Sequence, residues 1–188
     1  LETTAEWGGL LRELENRYSY DLAESREDNF GIAFFSRVPV VTSTLEDFSG
    51  YGIPSTVAKL NFEGREIEVI GTHPTPPASV SGFEIRNWHL EAVSRHVSRS
   101  ELPVVITGDF NVAPWSSAFR KLLSETQLRR LGNPFVSTWS VWGTSLLGVP
   151  IDHHLVSEEW AVVRYEVGDF LGSDHRWTFS EIVLREET

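Results

Sequence analysis

Six residues that could carry chemistry fall just past the ends of apolar runs. His73 follows Glu68-Val-Ile-Gly-Thr72, and Asp109 and Asn111 follow Val104-Val-Ile-Thr-Gly108. Asp152 follows Val149-Pro-Ile151, and Asp174 with His175 follow Gly172-Ser173. Each alone is an ordinary turn residue, because Asp, Asn, Gly and Ser enter turns through their own hydrogen bonding. Together they suggest more. Asp109-x-Asn111 sets an anionic acceptor and a neutral amide two residues apart, where extended side chains point the same way. One group could orient a water while the other donates to a phosphate oxygen. Asp174-His175 joins a ligand for hard cations to a titratable base. Asp152 could hold an imidazole in one tautomer, as the acid of a triad does. Carboxylates without thiols favour Mg²⁺ or Mn²⁺ over zinc.

Such residues need rigid elements behind them. Gly31–Ser36 and Pro103–Thr107 are short apolar runs that read as buried strands, the first broken by Arg37-Val38-Pro39. Thr56–Phe62 and Arg65–Gly71 flank Glu63-Gly64, a hairpin signal. Leu155–Val156, Ala161–Val167 and Trp177–Leu184 also read as strands. Thr3-x-x-Glu6 and Ser81-x-x-Glu84 are capping-box patterns. The first predicts a helix over Thr4–Arg17 with Trp7, Leu10, Leu11 and Leu14 on one face. The second predicts a helix with a stripe of Ile85, Trp88, Ala92, Val93 and His96. Ser116–Ser124 reads as a third helix, presenting Phe119, Leu122 and Leu123, and residues 18–29 read as irregular. Helices set between β-rich stretches predict an α/β or α+β sandwich with sheet at its centre.

The chain has 188 residues, enough for one domain with a substantial core, and no internal repeat or linker divides it. It contains no Cys, which excludes disulfides, thiolate metal sites and cysteine nucleophiles. With 27 acids against 16 bases the net charge is −11, which disfavours tight binding to long duplex DNA. Only Lys59 and Lys121 are Lys; the other bases are Arg, which can grip a phosphate with two hydrogen bonds. The longest uncharged stretch, Leu131–Ile151, carries too many Gly, Pro and hydroxyl residues for a membrane span and reads as loop and strand. There is no signal peptide and no Met, so an excerpt of a longer precursor is expected.

Five motifs carry a resemblance: Gly31-Ile-Ala-Phe-Phe-Ser-Arg-Val-Pro39, Gly71-Thr-His73, Thr107-Gly-Asp-Phe-Asn111, Ile151-Asp-His153 and Gly172-Ser-Asp-His175. In that order, the chain resembles the endonuclease/exonuclease/phosphatase superfamily of metal-dependent phosphoesterases. The resemblance implies a single-domain four-layer α/β sandwich over 1–188, with two mixed β-sheets face to face and helices outside. It implies that Glu2, in Leu1-Glu2-Thr-Thr-Ala-Glu-Trp7, binds Mg²⁺ (or Mn²⁺) with help from Asp174. It gives His73 contact with the scissile phosphate. Asp109 orients or deprotonates the attacking water, and Asn111 holds that water or a phosphate oxygen. His175, buttressed by Asp152, acts as base or stabilises charged phosphoryl oxygens. The same opening segment is similar to a bacterial branch whose catalytic domain follows membrane helices. Two departures are expected from the family pattern: the chain starts too late for the strand bearing a family Asn, and Pro150 stands where an Arg often does.

The implied activity is Mg²⁺-dependent hydrolysis of a phosphodiester or phosphomonoester by in-line attack of water, in a monomer. The charge favours a small or lipid-like phosphoester, or short nucleic acid, as substrate. A nuclease acting on DNA or RNA is one alternative, and a noncatalytic binding or sensor module is another. Any membrane contact is expected only through segments outside this chain, and the compartment stays open. Asp152-His153-His154 offers zinc ligands, but adjacent strand side chains point to opposite faces. His89 and His96 read as boundary residues, Arg37 as a turn charge, and Thr75-Pro-Pro77 as a stiff cleft wall. Trp139 and Trp142 read as packing residues, with stacking on a base, sugar or headgroup as the alternative.

Overall fold

The structure, a computed structural model, describes residues 1–7, 11, 17–141 and 148–185. Its centre is a mixed six-stranded sheet of β3 (Val40–Asp47), β4 (Pro54–Phe62), β5 (Arg65–Thr72), β6 (Val104–Asp109), β7 (Arg129–Arg130) and β8 (Asp152–Val156), in the order β3-β4-β5-β6-β8-β7. β4 and β5 form the hairpin that Glu63-Gly64 predicts. Both turn residues have positive φ, 54° and 87°, which matches the twist of the flanking strands. β5 and β6 run parallel, joined through α1 (Val80–Val97). α2 (Ser117–Thr126) follows β6.

The sheet is covered on both faces. On one, Leu90, Val93 and Val97 of α1 and Phe119 and Leu122 of α2 pack on Val57, Ile70, Ile106 and Leu155. Fully buried side chains of this size each contribute about 1.5–3 kcal/mol. On the other, Ala58, Leu60, Ile67 and Val156 meet Trp160, Phe34, Val162 and Ile182. That second layer consists of two antiparallel pairs, β1 (Tyr20–Glu24) with β2 (Ile32–Ser36) and β9 (Trp160–Val167) with β10 (Thr178–Leu184). Among the described residues β2 pairs only with β1 and β10 only with β9. No described helix is long and apolar enough to cross a membrane.

Several local expectations are corrected. Residues 20–24, read as irregular, form β1, because pairing with β2 supplies hydrogen bonds that polar composition does not announce. Helix α1 begins two residues before its predicted capping box: Ser79, not Ser81, is the N-cap, its side chain accepting from the Gly82 amide at 3.0 Å. Its buried face carries Arg86, His89, Leu90, Val93 and Val97, while Trp88 is exposed. Near the N-terminus the cap is Thr4, whose hydroxyl accepts from the Trp7 amide at 3.4 Å, and Thr3 is buried. Residues 5–7 and 11 are helical; Leu10 and Leu14 lie outside the described residues.

Candidate active site

The parallel register of β5 and β6 brings their C-terminal ends together, with Thr72 opposite Gly108. The backbones approach so closely there that a Cβ on Gly108 would lie 1.9 Å from the Thr72 carbonyl oxygen, and Gly108 has φ +149°. His73 and Asp109 therefore emerge side by side. β8 runs antiparallel to β6 with Asp152 opposite Asp109, so a third polar group arrives at the same edge. Thr138 anchors the start of β8: its hydroxyl accepts from the amides of Ile151 and Asp152, both at 3.0 Å. His175 comes from the turn before β10, its backbone bridged to Trp139.

The side chains interlock. His175 Nδ1 donates to Asp152 at 3.0 Å. His175 Nε2 lies 3.8 Å and His73 Nε2 3.6 Å from Asp109 Oδ2, so one carboxylate oxygen sits between two imidazoles. Asp109 Oδ1 accepts from the Asn111 amide at 2.7 Å, and the Asn111 side chain donates to the Pro74 carbonyl at 2.9 Å. Asn111 has φ +49°, a left-handed conformation that Asn tolerates better than most residues.

Burial and charge divide the protons. Burial, with nearby positive groups including His175, lowers His73 to about 4, so its ring is neutral at pH 7. Its Nδ1 is buried and meets no hydrogen-bond partner among the described residues, and Phe30 packs against the ring at 5.7 Å. Burial and the neighbouring Asp152 charge push the Asp109 carboxyl well above the usual carboxylate range. Burial also opposes charge on His175, but the Asp152 hydrogen bond and the charges of Asp152, Asp109 and Asp174 prevail and raise it to about 9.

Glu2 is placed by its neighbour Thr3. The Thr3 amide donates to the Gly31 carbonyl, its carbonyl accepts from the Arg26 amide, and its hydroxyl donates to the Glu24 carbonyl, at 3.1, 2.9 and 3.2 Å. A Cβ on Gly31 would lie 2.0 Å from the Thr3 carbonyl oxygen, which explains the glycine. Glu2, His73, Asp109, Asn111, Asp174 and His175 all line one cavity of about 720 Å³, walled by Phe30, Thr75, Pro76, Pro77 and Trp139. None of the described residues lining it is Lys or Arg. An adjoining cavity of about 400 Å³, shared by Glu2, His73, Asp109 and His175, also reaches Asp152 and runs between β2 and β10.

Glu2 and Asp174 bring carboxylate oxygens, the donors that suit a hard divalent cation, into a cavity whose described lining holds no Lys or Arg and one imidazolium, His175. No three described His, Asp or Glu side chains are gathered as a metal site. One oxygen of Asp174 accepts from the Trp139 indole at 2.9 Å, so Trp139, read from the sequence as a packing residue, also holds this acid. Trp142 lies outside the described residues. The zinc alternative loses its ligands. His153 is bonded by Arg130 and by the Val112 carbonyl, and His154 by Ser180 and Thr178, so all four ring nitrogens are engaged. His89 is wholly buried against Thr72 and Ser55, while His96 pairs with Glu68 at 3.2 Å. Arg37 donates to the Arg17 carbonyl and covers the Tyr18 ring. Thr138 and Arg86 support the site without any motif of their own, and Thr3 does so through contacts other than its capping-box pattern. Only the unusual burial of an Arg, visible in three dimensions, marks Arg86.

The sequence matches the Endonuclease/Exonuclease/phosphatase family over residues 1–175. No curated protein matches the chain in sequence. Among solved structures, an endonuclease/exonuclease/phosphatase from Beutenbergia cavernae is similar at TM-score 0.76 and 18% identity, over 94% of this chain and 57% of its own. The chain thus spans little more than half the length of that protein. D. rerio TDP2, complexed with single strand DNA product, is similar at TM-score 0.76 and 14% identity, over 97% of this chain and 83% of its own. Sphingomyelinase C from Streptomyces griseocarneus is similar at TM-score 0.64 and 17% identity, over 94% and 78%. At these identities the likeness shows the fold.

Proposed function

Because the chain belongs to the endonuclease/exonuclease/phosphatase family, whose members are hydrolases acting on phosphoesters, we propose that it hydrolyses a phosphoester by direct attack of water, with a divalent cation. The observation that carries this reading is the Asp152–His175 pair at 3.0 Å, with Asp109 and His73 beside it in adjoining cavities. Glu2 and Asp174 would hold Mg²⁺, or Mn²⁺ in its place. That ion would supply electrostatic stabilisation of the phosphoryl and leaving oxygens.

The residues divide the remaining work. Asp109, made more basic by burial and by Asp152, accepts a proton from the attacking water. Asp152 fixes Nδ1 of His175, so the imidazolium turns Nε2–H toward developing negative charge. Neutral His73 offers a hydrogen bond to the phosphate without adding charge. Asn111, tethered at its own amide, holds the water or a phosphate oxygen.

The favoured substrate is a small or lipid-like phosphoester. With a net charge of −11 and no Lys or Arg among the described residues lining the larger cavity, a long polyanion would find few counter-charges. The test compares a small chromogenic phosphodiester, a choline phosphodiester in vesicles and a supercoiled plasmid, each with Mg²⁺ across a salt series. Turnover of the first two is expected to exceed plasmid nicking. Robust nicking at physiological salt would overturn the preference in favour of a nuclease. If neither Asp109→Ala nor His175→Ala lowers hydrolysis, the enzyme reading fails and a noncatalytic module with the same fold stands.

A further inference from the structure

Arg86 is out of place for a charged residue. It lies on the sheet-facing side of α1, only 3% exposed, and among the described residues it pairs with no carboxylate. Burying an unpaired guanidinium is costly, so a helix selected only for packing would carry Leu or Met there. Two of its nitrogens are nonetheless committed. Nη1 donates to the Asn111 carbonyl at 2.6 Å and Nε to the Asn87 side chain at 2.8 Å, while the Phe83 ring lies 4.9 Å from the guanidinium carbon. The acceptor is the one residue between β6 and α2 with a left-handed backbone, a conformation uncommon outside Gly though open to Asn. Asn111 has three ties: its amide to Asp109, its side chain to Pro74, and its carbonyl to Arg86. The first two come from the ends of β6 and β5. The third comes from outside the cavity, since Arg86 is not among its lining residues.

We propose that Arg86 is a positioning residue, clamping the Asn111 carbonyl so that the turn presents Asn111 and Asp109 to the reacting phosphate in fixed geometry. The proposal rests on the hydrolase reading above. It acts through Asn111, whose amide in turn holds Asp109 Oδ1. Losing the clamp frees the turn, and a misplacement of about 1 Å at a reacting group costs on the order of 10²-fold in rate.

The experiment compares Arg86→Met, Arg86→Lys and, as a packing control on the same helix face, Leu90→Ala. Arg86→Met is expected to lower kcat by about 10²-fold with KM little changed and Tm not reduced, because a buried unpaired charge has been removed. Arg86→Lys is expected to recover part of the rate, since an ammonium can still donate to the Asn111 carbonyl. Leu90→Ala is expected to lower Tm while sparing kcat. Amide hydrogen exchange supplies a readout that needs no turnover: in both Arg86 variants the Asn111 amide exchanges faster while the Val93 amide stays protected. Unchanged kcat in Arg86→Met, or a loss of kcat and Tm together as in a packing defect, overturns the proposal. If Arg86→Met does not fold, Arg86→Lys carries the same kcat and exchange comparison. If the wild-type chain itself shows no metal-dependent turnover, the hydrolase reading fails. Exchange at Asn111 then decides the clamp alone, unchanged protection overturning it.

Discussion

Asp109 and Asp152 face each other as a register pair across antiparallel β6 and β8, yet they hold different partners. Asp152 takes the Nδ1 of His175, while Asp109 takes the amide of Asn111 and faces Nε2 of both His73 and His175. Two acids at one edge repel, and that repulsion helps raise Asp109 above an ordinary carboxylate. In the proposed hydrolysis Asp152 serves as the buttress and Asp109 accepts the proton.

Replacing the buttress separates these roles. Asp152→Asn removes the charge that keeps the His175 imidazolium near 9, so its pKa is expected to fall toward the ordinary value near 6.5. Hydrolysis at pH 8 should drop by about 10²–10⁴-fold, the range for positioned acid–base groups. An NMR titration of the His175 ring alongside kcat checks both. An unmoved titration would show that Asp152 does not set the charge of His175.

Stability should fall on mild acidification. Burial lowers His89 and His154 to about 4 and His153 to about 3. Each is neutral in the folded protein but takes a proton in the unfolded chain below its ordinary value near 6.5. The unfolded state then binds more protons, so stability that is complete above pH 6.5 declines as pH falls toward 4. Thermal melts across pH 4–8 should show this slope, flattened in His89→Gln.

Two glycines are fixed by contact. A methyl group on Gly108 would strike the Thr72 carbonyl in a backbone region closed to other residues, so Gly108→Ala should cost on the order of 2–4 kcal/mol in a denaturant melt. Gly31→Ala meets the Thr3 carbonyl, and its expected signature is a higher Mg²⁺ requirement, because Thr3 positions Glu2. Equal metal titrations for Gly31→Ala and wild type would remove Glu2 from metal binding.

Chelation gives a further check. Turnover should vanish with excess EDTA and return with Mg²⁺ or Mn²⁺. Glu2→Gln should need a higher metal concentration for half-maximal rate, with the folded far-ultraviolet spectrum unchanged. Activity that survives exhaustive chelation would end the cation's proposed role.

The chemistry was legible where residue type and chain conformation agree. Gly108-Asp109-Phe110-Asn111 reads as a strand end because the run before it is apolar and Gly108 permits close approach, and the structure has both features. The Glu63-Gly64 turn was legible because positive φ favours such residues. β3 was not, since its alternating Thr, Ser and acid side chains are exposed and only pairing with β4 makes it a strand. Ser79 lost its cap to Ser81 because Glu84 completed a pattern that the chain does not use. Arg86 was invisible for the opposite reason: nothing in a helical sequence distinguishes a charge that turns inward from one that stays in water.

His73, Asp109 and Asp152 stand at the ends of three neighbouring strands, while Phe30, Pro76, Pro77 and Trp139 stand on connecting loops. The strand ends thus supply the floor of the cavity and the loops its walls, with Pro74 and Trp139 tying the two together through Asn111 and Asp174. Exchanging the side chains at 76 and 77 would reshape the wall while leaving the Pro74 carbonyl that ties Asn111 and the Ser79 cap of α1 in place.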